Sequence, residues 1–187
     1  MTSAEVAIRP AVAADVPAIA AMIRALADYE KLAHLCVSTE QGLQRALFGS
    51  RPAAEVLIAS IDRVPAGFAL FFHNFSTFLA QRGVWLENLF VYPEYRGRGV
   101  GSALLHAVAA IATARDCGRF EWAVLDWNTP AIGFYEGLGA TVMPDWRIAR
   151  VSGAALKRLA EAPEGPAVFG DPKAEPPAPS DTAADDR

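Results

Sequence analysis

The segment from Trp85 to Leu125 constrains the fold of this chain more than any other part. An apolar run at its start is followed by a glycine-rich stretch, Arg96 to Gly101, and then by apolar residues at helical spacing from Val100 to Ile111. A second apolar run, Phe120 to Leu125, comes after the helix. A strand, a helix and a strand in this order predict two parallel strands joined by a crossover helix.

Two helices are predicted before this segment. Asp15 stands where a helix cap belongs, ahead of apolar residues that recur at helical spacing as far as Ala27. Ser38 and Gln41 have the spacing of a capping box, and the short helix that follows them is expected to end near Gly49. The first helix is amphipathic, so we expect it to pack one side against the core.

The remaining predicted elements complete a mixed sheet. Asn128 or Thr129 is expected to cap a helix that ends at Gly139. Further strands are predicted at Val6 to Arg9, Glu55 to Ile61, Ala66 to Phe72 and Trp146 to Val151. The predicted fold class is therefore α/β, a mixed α+β arrangement with a mostly antiparallel central sheet, one parallel β-α-β crossover and helices on both faces.

Composition favours one folded domain followed by a tail. The chain has 187 residues, of which 52% are hydrophobic, enough for a complete core within residues 1 to 160. Residues 161 to 187 hold seven acids, two bases and six of the thirteen prolines, and are expected to form a disordered acidic tail. The net charge of the chain is −4 and that of the tail is −5, so the domain is near +1, which argues against a nucleic-acid-binding surface.

Cysteine usage and hydropathy favour a cytoplasmic protein. Cys36 and Cys117 are the two cysteines, and their spacing supports neither a disulfide framework nor a metal site. Neither a signal peptide nor a membrane span is predicted, because the longer apolar stretches are interrupted by charged or polar residues. We expect a protein that holds no metal and binds neither nucleic acid nor a membrane.

Gly97, Gly99 and Gly101 alternate between the predicted strand and the start of the helix. Without a Cβ, backbone N–H groups at such positions converge on an anion, and the helix N-terminus adds a partial positive charge. The flanking Arg96 and Arg98 favour a phosphate ligand over the alternative, an ordinary glycine-rich turn. The pattern lacks both the GxGxxG spacing of a dinucleotide fold and the lysine of a Walker loop.

Two motifs of this region are typical of a known superfamily. Arg96 to Gly101 resembles the Arg/Gln-x-x-Gly-x-Gly/Ala acetyl-CoA signature of the GNAT superfamily of N-acetyltransferases, and residues 128 to 140 resemble its second motif. Within the superfamily, the chain is most similar to the spermidine/spermine N-acetyltransferase-like branch over about residues 6 to 158. That similarity is carried by Ile8-Arg9-Pro10, Tyr29-Glu30, Trp85 to Val91, Tyr95-Arg96-Gly97 and Trp127-Asn128, among others.

The resemblance implies the GNAT-type acyl-CoA N-acyltransferase fold. It also implies transfer of an acetyl group from acetyl-CoA to an amine by direct attack in a ternary complex, in a protein that is usually a homodimer. Tyr135 matches the tyrosine that protonates the departing CoA sulfur. The acetyl-CoA-binding residues implied are Leu89, Phe90, Val91, Arg96, Gly97, Arg98, Gly99, Val100, Gly101, Ser102, Asn128 and Ala131.

Glu87 matches the branch's acidic residue at the amine site, and we assign it the role of a base that acts through water. Strand alternation predicts that it shares a face with Trp85 and Leu89, whereas Asn88 turns the other way. The branch usually has Asp where this chain has Asn88, so one negative charge is missing near the predicted amine site. The predicted substrate-binding residues are Tyr29, Glu30, Glu87, Glu121 and Asp145.

The sequence leaves alternatives to the acetylation of a small diamine, polyamine or lysine-like amino acid. The acceptor could be a protein or peptide amine, for which a broad open groove would be expected instead of a closed acidic pocket. A non-catalytic CoA-binding module would keep Arg96 to Gly101 but lose the acid and the base, and both Tyr135 and Glu87 are present. For Tyr135 the ordinary alternative is a core tyrosine, and for Glu87 a solvent-exposed carboxylate.

Overall fold

The computed structural model describes residues 5 to 161, so the predicted acidic tail beyond Glu161 lies outside the described residues. The chain divides into two compact units, residues 1 to 137 and residues 138 to 187. Among the described residues, every strand belongs to the first unit. No helix within residues 5 to 161 is both long enough and apolar enough to cross a bilayer.

A five-stranded sheet forms the centre of the first unit. Its strands are β1 (Val6–Pro10), β2 (Glu55–Ile61), β3 (Val64–Ser76), β4 (Gln81–Val91) and β5 (Arg119–Trp122). They lie in the sheet in the order in which they occur in the chain. β1 to β4 pair antiparallel and β4 pairs with β5 in parallel, so the predicted mixed sheet with one parallel crossover is confirmed.

Helices cover both faces of the sheet, as predicted. On one face, Ile19 and Met22 of the first helix are buried with Phe68 of β3, and on the other, Leu104 of the crossover helix is buried with Phe71. Full burial of a phenylalanine side chain stabilises a fold by about 2 to 3 kcal/mol. The helices of this unit are α1 (Val16–Tyr29), α2 (Glu40–Phe48), α3 (Val100–Ala114) and α4 (Thr129–Gly137).

The caps of α1 and α2 differ from the predicted ones. Asp15 precedes α1, but its carboxylate accepts two hydrogen bonds from Arg9, at 2.6 and 2.7 Å, and does not cap the helix. A bidentate arginine is a stronger partner for a carboxylate than a neutral backbone N–H. The predicted capping box of Ser38 and Gln41 is wrong, because α2 begins one residue later and Thr39 accepts the capping N–H bond at 3.1 Å.

The predicted strand at Trp146 to Val151 is wrong. Within the described part of the second unit, residues 140 to 152 form neither helix nor strand, and the regular element that follows is a helix, α5 (Gly153–Ala160). Trp146 is 73% exposed and Ile148 is 67% exposed. An apolar run forms a strand only where a neighbouring strand supplies backbone partners, and residues 138 to 161 contain none.

Candidate active site

A cleft opens where β4 and β5 separate. Their parallel pairing runs from Gly83 opposite Arg119 to Leu86 opposite Trp122, where β5 ends, while β4 continues to Val91. The cavity has a volume of about 620 Å³ and is lined by residues of the first unit. A strand edge without a neighbour presents backbone N–H and C=O groups, so this end of β4 is suited to bind a polar chain.

Most of the predicted site residues line this one cleft, although they come from α1, β4, the glycine loop and α4. Arg98 and Glu121 are not part of the lining. Asp145 belongs to the second unit, where its side chain is exposed. The predicted residues that line the cleft are Tyr29, Glu30, Glu87, Leu89, Phe90, Val91, Arg96, Gly97, Gly99, Val100, Gly101, Ser102, Asn128, Ala131 and Tyr135.

Glu87 reaches the cleft at a β-bulge in β4. Leu86 pairs with Phe71 of β3, and Asn88 pairs with Leu70, so Glu87 is an extra residue with no register partner on β3. A bulge bends its strand and re-aims the side chains next to it. Both Glu87 and Asn88 consequently line the cleft.

The bulge also changes which side chains share a face of the sheet. Leu86 and Leu89 both pack in the core on the α3 side, although an unbroken strand would place them on opposite faces. The prediction that Glu87 shares a face with Leu89 is therefore wrong. The shared face with Trp85 is confirmed, because the Trp85 indole N–H donates to Glu87 Oε2 at 3.0 Å.

The glycine loop leads into α3 as predicted. Gly97 and Gly99 have φ values of 70° and 80°, and Gly99 directly precedes the helix. A Cβ added at either residue would meet no atom within 4 Å, so open space adjoins the backbone there. Because the first N–H groups of a helix lack intrahelical partners and carry the positive end of its dipole, this loop fits an anionic group such as a pyrophosphate.

The two arginines of the loop contact aromatic rings of the protein. Arg96 Nε donates to the Val91 carbonyl oxygen at 3.0 Å, and Arg96 Cζ lies 4.7 Å from the centre of the Tyr29 ring. Arg98 Cζ lies 5.7 Å from the centre of the Tyr95 ring. Arg96 thus joins the loop to both β4 and the end of α1.

Tyr135 lies on α4 with its ring centre 5.0 Å from that of Trp122 and 5.4 Å from that of Phe134. Burial raises the pKa of its phenol, and the neighbouring Glu30 and Tyr29 raise that pKa further. A raised pKa keeps the proton on the phenol throughout the neutral range, as a proton donor requires. Among the described residues, none is hydrogen-bonded to the Tyr135 hydroxyl, so none of these residues competes for its proton.

Two carboxylates face the same cleft in different surroundings. Glu30 directly follows α1 and is half-buried, and burial raises the pKa of its carboxyl group. The C-terminal end of a helix carries a partial negative charge, which disfavours an ionised carboxylate further. Glu87 is exposed and already accepts the indole N–H. A cation such as an ammonium group would relieve the uncompensated charge at Glu30.

Glu121 lies on β5, next to Trp85 in the sheet register. Its Oε2 is 2.7 Å from Arg119 Nε and accepts a hydrogen bond from Asn74 Nδ2 at 2.9 Å. The charge of Glu121 is therefore compensated within the protein. Its predicted contact with an amine stays a prediction.

Eight lining residues were not among the predicted ones, and Asn88 and Phe134 are two of them. Strand alternation turns Asn88 away from Glu87, and only the bulge brings it into the cleft. Phe134 forms part of the wall beside the loop, where a Cβ on Gly101 would lie 3.5 Å from its ring. The available signal for Phe134 was its place next to Tyr135 in the second motif.

Comparison with known proteins connects this cleft to a family. Residues 18 to 140 match the model of the acetyltransferase (GNAT) family. The chain is 37% identical to an L-ornithine N5-acetyltransferase of Arabidopsis thaliana, over 81% of this chain and 86% of that protein. It is 38% identical to a thialysine N-epsilon-acetyltransferase of Sus scrofa, over 84% of this chain and 98% of that protein.

A solved structure agrees with the fold. An integron cassette protein from the mobile metagenome of V. cholerae matches with a TM-score of 0.71 at 24% identity, over 84% of this chain and 98% of that one. The chain belongs to the GNAT family and is an acetyl-CoA-dependent N-acetyltransferase. The predicted GNAT superfamily, the similarity to its spermidine/spermine N-acetyltransferase-like branch, the fold and the cosubstrate are thereby confirmed.

Proposed function

We propose that this enzyme acetylates the terminal primary amine of a small aliphatic molecule, such as a diamine or a lysine-like amino acid. The observation that carries the proposal is the placement of Glu30, Glu87 and Tyr135 around one cleft next to the glycine loop. Two carboxylates attract an ammonium group, and a phenol supplies a proton. The names of the two relatives, which specify side-chain amines of amino acids, support the same acceptor class.

The acceptor must lose a proton before it attacks. A primary amine has a pKa near ~10.4, so at pH 7 only about one molecule in a few thousand is a free nucleophile, a handicap of about 4 to 5 kcal/mol. Glu87 is exposed at the bulge and has one carboxylate oxygen free of the indole bond, which suits it to receive that proton through water. Glu30 holds the ammonium in the cleft beforehand.

Acetyl-CoA supplies an acetyl group activated as a thioester. Backbone N–H groups of β4 beyond Leu86 stabilise the negative charge that develops on the carbonyl oxygen. As the new C–N bond forms and the C–S bond breaks, Tyr135 gives its proton to the departing sulfur and regains one from the acetylated nitrogen. The backbone of residues 97 to 102 holds the pyrophosphate.

The charge of the cleft favours a short acceptor over a long polyamine. The acidic residues of the lining are Glu30 and Glu87, and the position next to Glu87 is the neutral Asn88. Each ammonium group that enters the cleft is stabilised by a carboxylate partner and destabilised by the loss of its water shell. Two carboxylates therefore suit an acceptor with one or two ammonium groups.

An acceptor panel tests this proposal. Purified enzyme and acetyl-CoA are incubated with ornithine, lysine, putrescine, spermidine and a lysine-containing peptide, and free thiol release and product mass are measured. We expect turnover with the diamino acids or the diamine, and loss of it in Tyr135→Phe. If only the peptide is acetylated, the acceptor is a protein amine instead. CoA binding without turnover on any acceptor would favour a non-catalytic module.

We also propose that the enzyme is a cytoplasmic homodimer. The tip of the β3–β4 hairpin supports the dimer, because Phe78 is 98% exposed, Phe75 is 59% exposed and Leu79 is 51% exposed. Large apolar side chains gathered at one surface are typical of interaction sites. The free thiols of Cys36 and Cys117 are in keeping with a reducing compartment. Light scattering tests the dimer: the parent should have the mass of a dimer and Phe78→Ser that of a monomer, and a monomeric parent would exclude the proposal. Cell fractionation tests the compartment.

A further inference from the structure

The Tyr29 ring is the point at which three chain segments meet at the rim of the cleft. It ends α1, and the guanidinium of Arg96 lies over it at 4.7 Å. Its hydroxyl donates to Asn128 Oδ1 at 3.3 Å, immediately before α4, and its ring centre lies 6.0 Å from that of Trp127. A substrate-facing tyrosine needs none of these contacts.

Arg96 is held from two sides in this arrangement. Its Nε–H donates to the Val91 carbonyl at 3.0 Å, and its Cζ lies over the Tyr29 ring at 4.7 Å from the ring centre. A guanidinium makes such contacts because it is planar and has a directional Nε–H, and a lysine ammonium offers neither. The positive charge of Arg96 alone does not account for the arrangement.

Through these contacts Tyr29 is connected to both halves of the site, the glycine loop and α4. Arg96 begins the loop whose backbone faces the open space at Gly97 and Gly99. Asn128 precedes α4, and its carbonyl accepts the backbone N–H groups of the first turn of that helix. Tyr135 lies on the same helix, so a displacement of Asn128 would displace the phenol.

We propose that Tyr29 is a positioning residue that fixes the pyrophosphate-binding loop through Arg96 and the helix of the proton donor through Asn128. One side chain thereby sets both acetyl-CoA affinity and the placement of Tyr135. The proposal rests on the proposed role of Tyr135 and is independent of which amine is the acceptor. It gives Arg96 a structural part in acetyl-CoA binding and Tyr29 a part beyond substrate contact.

A double-mutant cycle on CoA affinity tests the Arg96 contact. Calorimetry with CoA is carried out on the parent, Tyr29→Leu, Arg96→Lys and the double variant. We expect each single variant to weaken CoA binding by about tenfold, because each removes the same contact. The double variant should therefore bind CoA at most about twofold more weakly than either single variant. If the two residues contributed independently, the two tenfold losses would multiply, and the double variant would bind CoA about a hundredfold more weakly than the parent.

Arg98 provides the matched control in the same loop. It carries the same charge, but its Cζ lies over the Tyr95 ring instead of the Tyr29 ring. The effects of Arg98→Lys and Tyr29→Leu on CoA affinity are therefore expected to multiply. Parent affinity in Arg96→Lys, or multiplied effects of Tyr29→Leu and Arg96→Lys, would overturn the proposal. Since CoA binding is measured without an acceptor, failure to find the acceptor does not affect this result.

Tyr29→Phe tests the second contact. The change keeps the ring under Arg96 and removes only the hydroxyl that donates to Asn128. We expect kcat to fall severalfold while the KM for acetyl-CoA and the melting temperature stay at the parent values. An unchanged kcat would overturn the link from Tyr29 to the helix of Tyr135. Tyr29 is 38% exposed, and Tyr29→Phe retains the ring should Tyr29→Leu fail to fold.

Discussion

Replacement of Tyr135 by phenylalanine removes one hydroxyl from the cleft and leaves the packing of the ring in place. The ring contacts with Trp122 and Phe134, at 5.0 and 5.4 Å between centres, do not involve the hydroxyl. Because no described residue is hydrogen-bonded to that hydroxyl, we expect the free energy of unfolding to change by no more than about 0.5 kcal/mol. Affinity for acetyl-CoA is expected to persist as well.

The rate of acetyl transfer should fall by a much larger factor. Without a donor, the CoA sulfur must leave as a thiolate, whose conjugate acid has a pKa near ~8.5. General-acid assistance contributes about 10² to 10⁴ in rate, which corresponds to about 2.7 to 5.4 kcal/mol of barrier. Burial of Tyr135, together with Glu30 and Tyr29, raises the pKa of the phenol and keeps the donor protonated.

The assay is single-turnover thiol release, measured with saturating acetyl-CoA and acceptor as a function of pH. On the alkaline side the rate of the parent should decline only above the ordinary tyrosine pKa near ~10, because its phenol has a raised pKa, and Tyr135→Phe should lack that alkaline decline. Tyr92→Phe is the matched control. Burial also raises the pKa of Tyr92, but this residue is not part of the cleft lining. A Tyr135→Phe enzyme with the parent rate would refute the general-acid role, and a defect confined to the KM for acetyl-CoA would reduce that role to binding.

Three other substitutions probe the loop, the bulge and the entry to α1. In Gly101→Val the new Cβ would lie 3.5 Å from the Phe134 ring, an ordinary contact distance, so the melting temperature should hold. The calorimetric acetyl-CoA affinity should drop at least about tenfold, and unchanged affinity would remove the loop assignment. Glu87→Gln should lower the rate most near neutral pH, and the rate should recover in part as the pH nears the amine pKa of ~10.4. If the variant has the same pH–rate profile as the parent, Glu87 is a structural residue. The hydrogen bond from Arg9 lowers the pKa of Asp15, so its stabilisation is present above the unfolded pKa of ~3.9 and is lost as the pH falls through the lower folded value. Asp15→Asn should therefore lower the free energy of unfolding in urea by about 1 kcal/mol at pH 7, and the difference should shrink as the pH falls through the lowered pKa of Asp15. A difference that does not change as the pH is lowered would contradict this.

Local patterns were sufficient to predict most of the sheet. The β2 bounds are Glu55–Ile61 as predicted, and the turn to β3 is made by Asp62 and Arg63, both at positive φ. Such a two-residue turn matches the twist of antiparallel strands, so the apolar runs and the turn together determine the hairpin. The predicted strand at Trp146 to Val151 had apolar residues but no neighbouring strand, and pairing is a property of the whole sheet that one segment cannot supply.

Within the site, the backbone signature was easier to predict than the side-chain geometry. Alternating glycines report directly on backbone conformation, and Gly97 and Gly99 have the positive φ that the motif implies. The bulge at Glu87 depends on how β4 pairs with β3, which no periodicity within β4 reveals. The contact of the Arg96 guanidinium with the Tyr29 ring joins residues far apart in the chain and follows only from the folded arrangement.

The parallel pairing of β4 and β5 has a consequence for the way this sheet opens. β3 and β4 are paired over most of their length, whereas β4 and β5 are joined only from Gly83 to Leu86, and β5 is at the edge. Short edge pairings open locally at a lower free energy than central ones, so amide deuterium uptake should be fastest in β5. A ligand lodged between the two strands stabilises the closed state and slows that uptake. Exchange at Phe120 to Trp122 would then report cosubstrate occupancy without any acceptor or any chemical turnover.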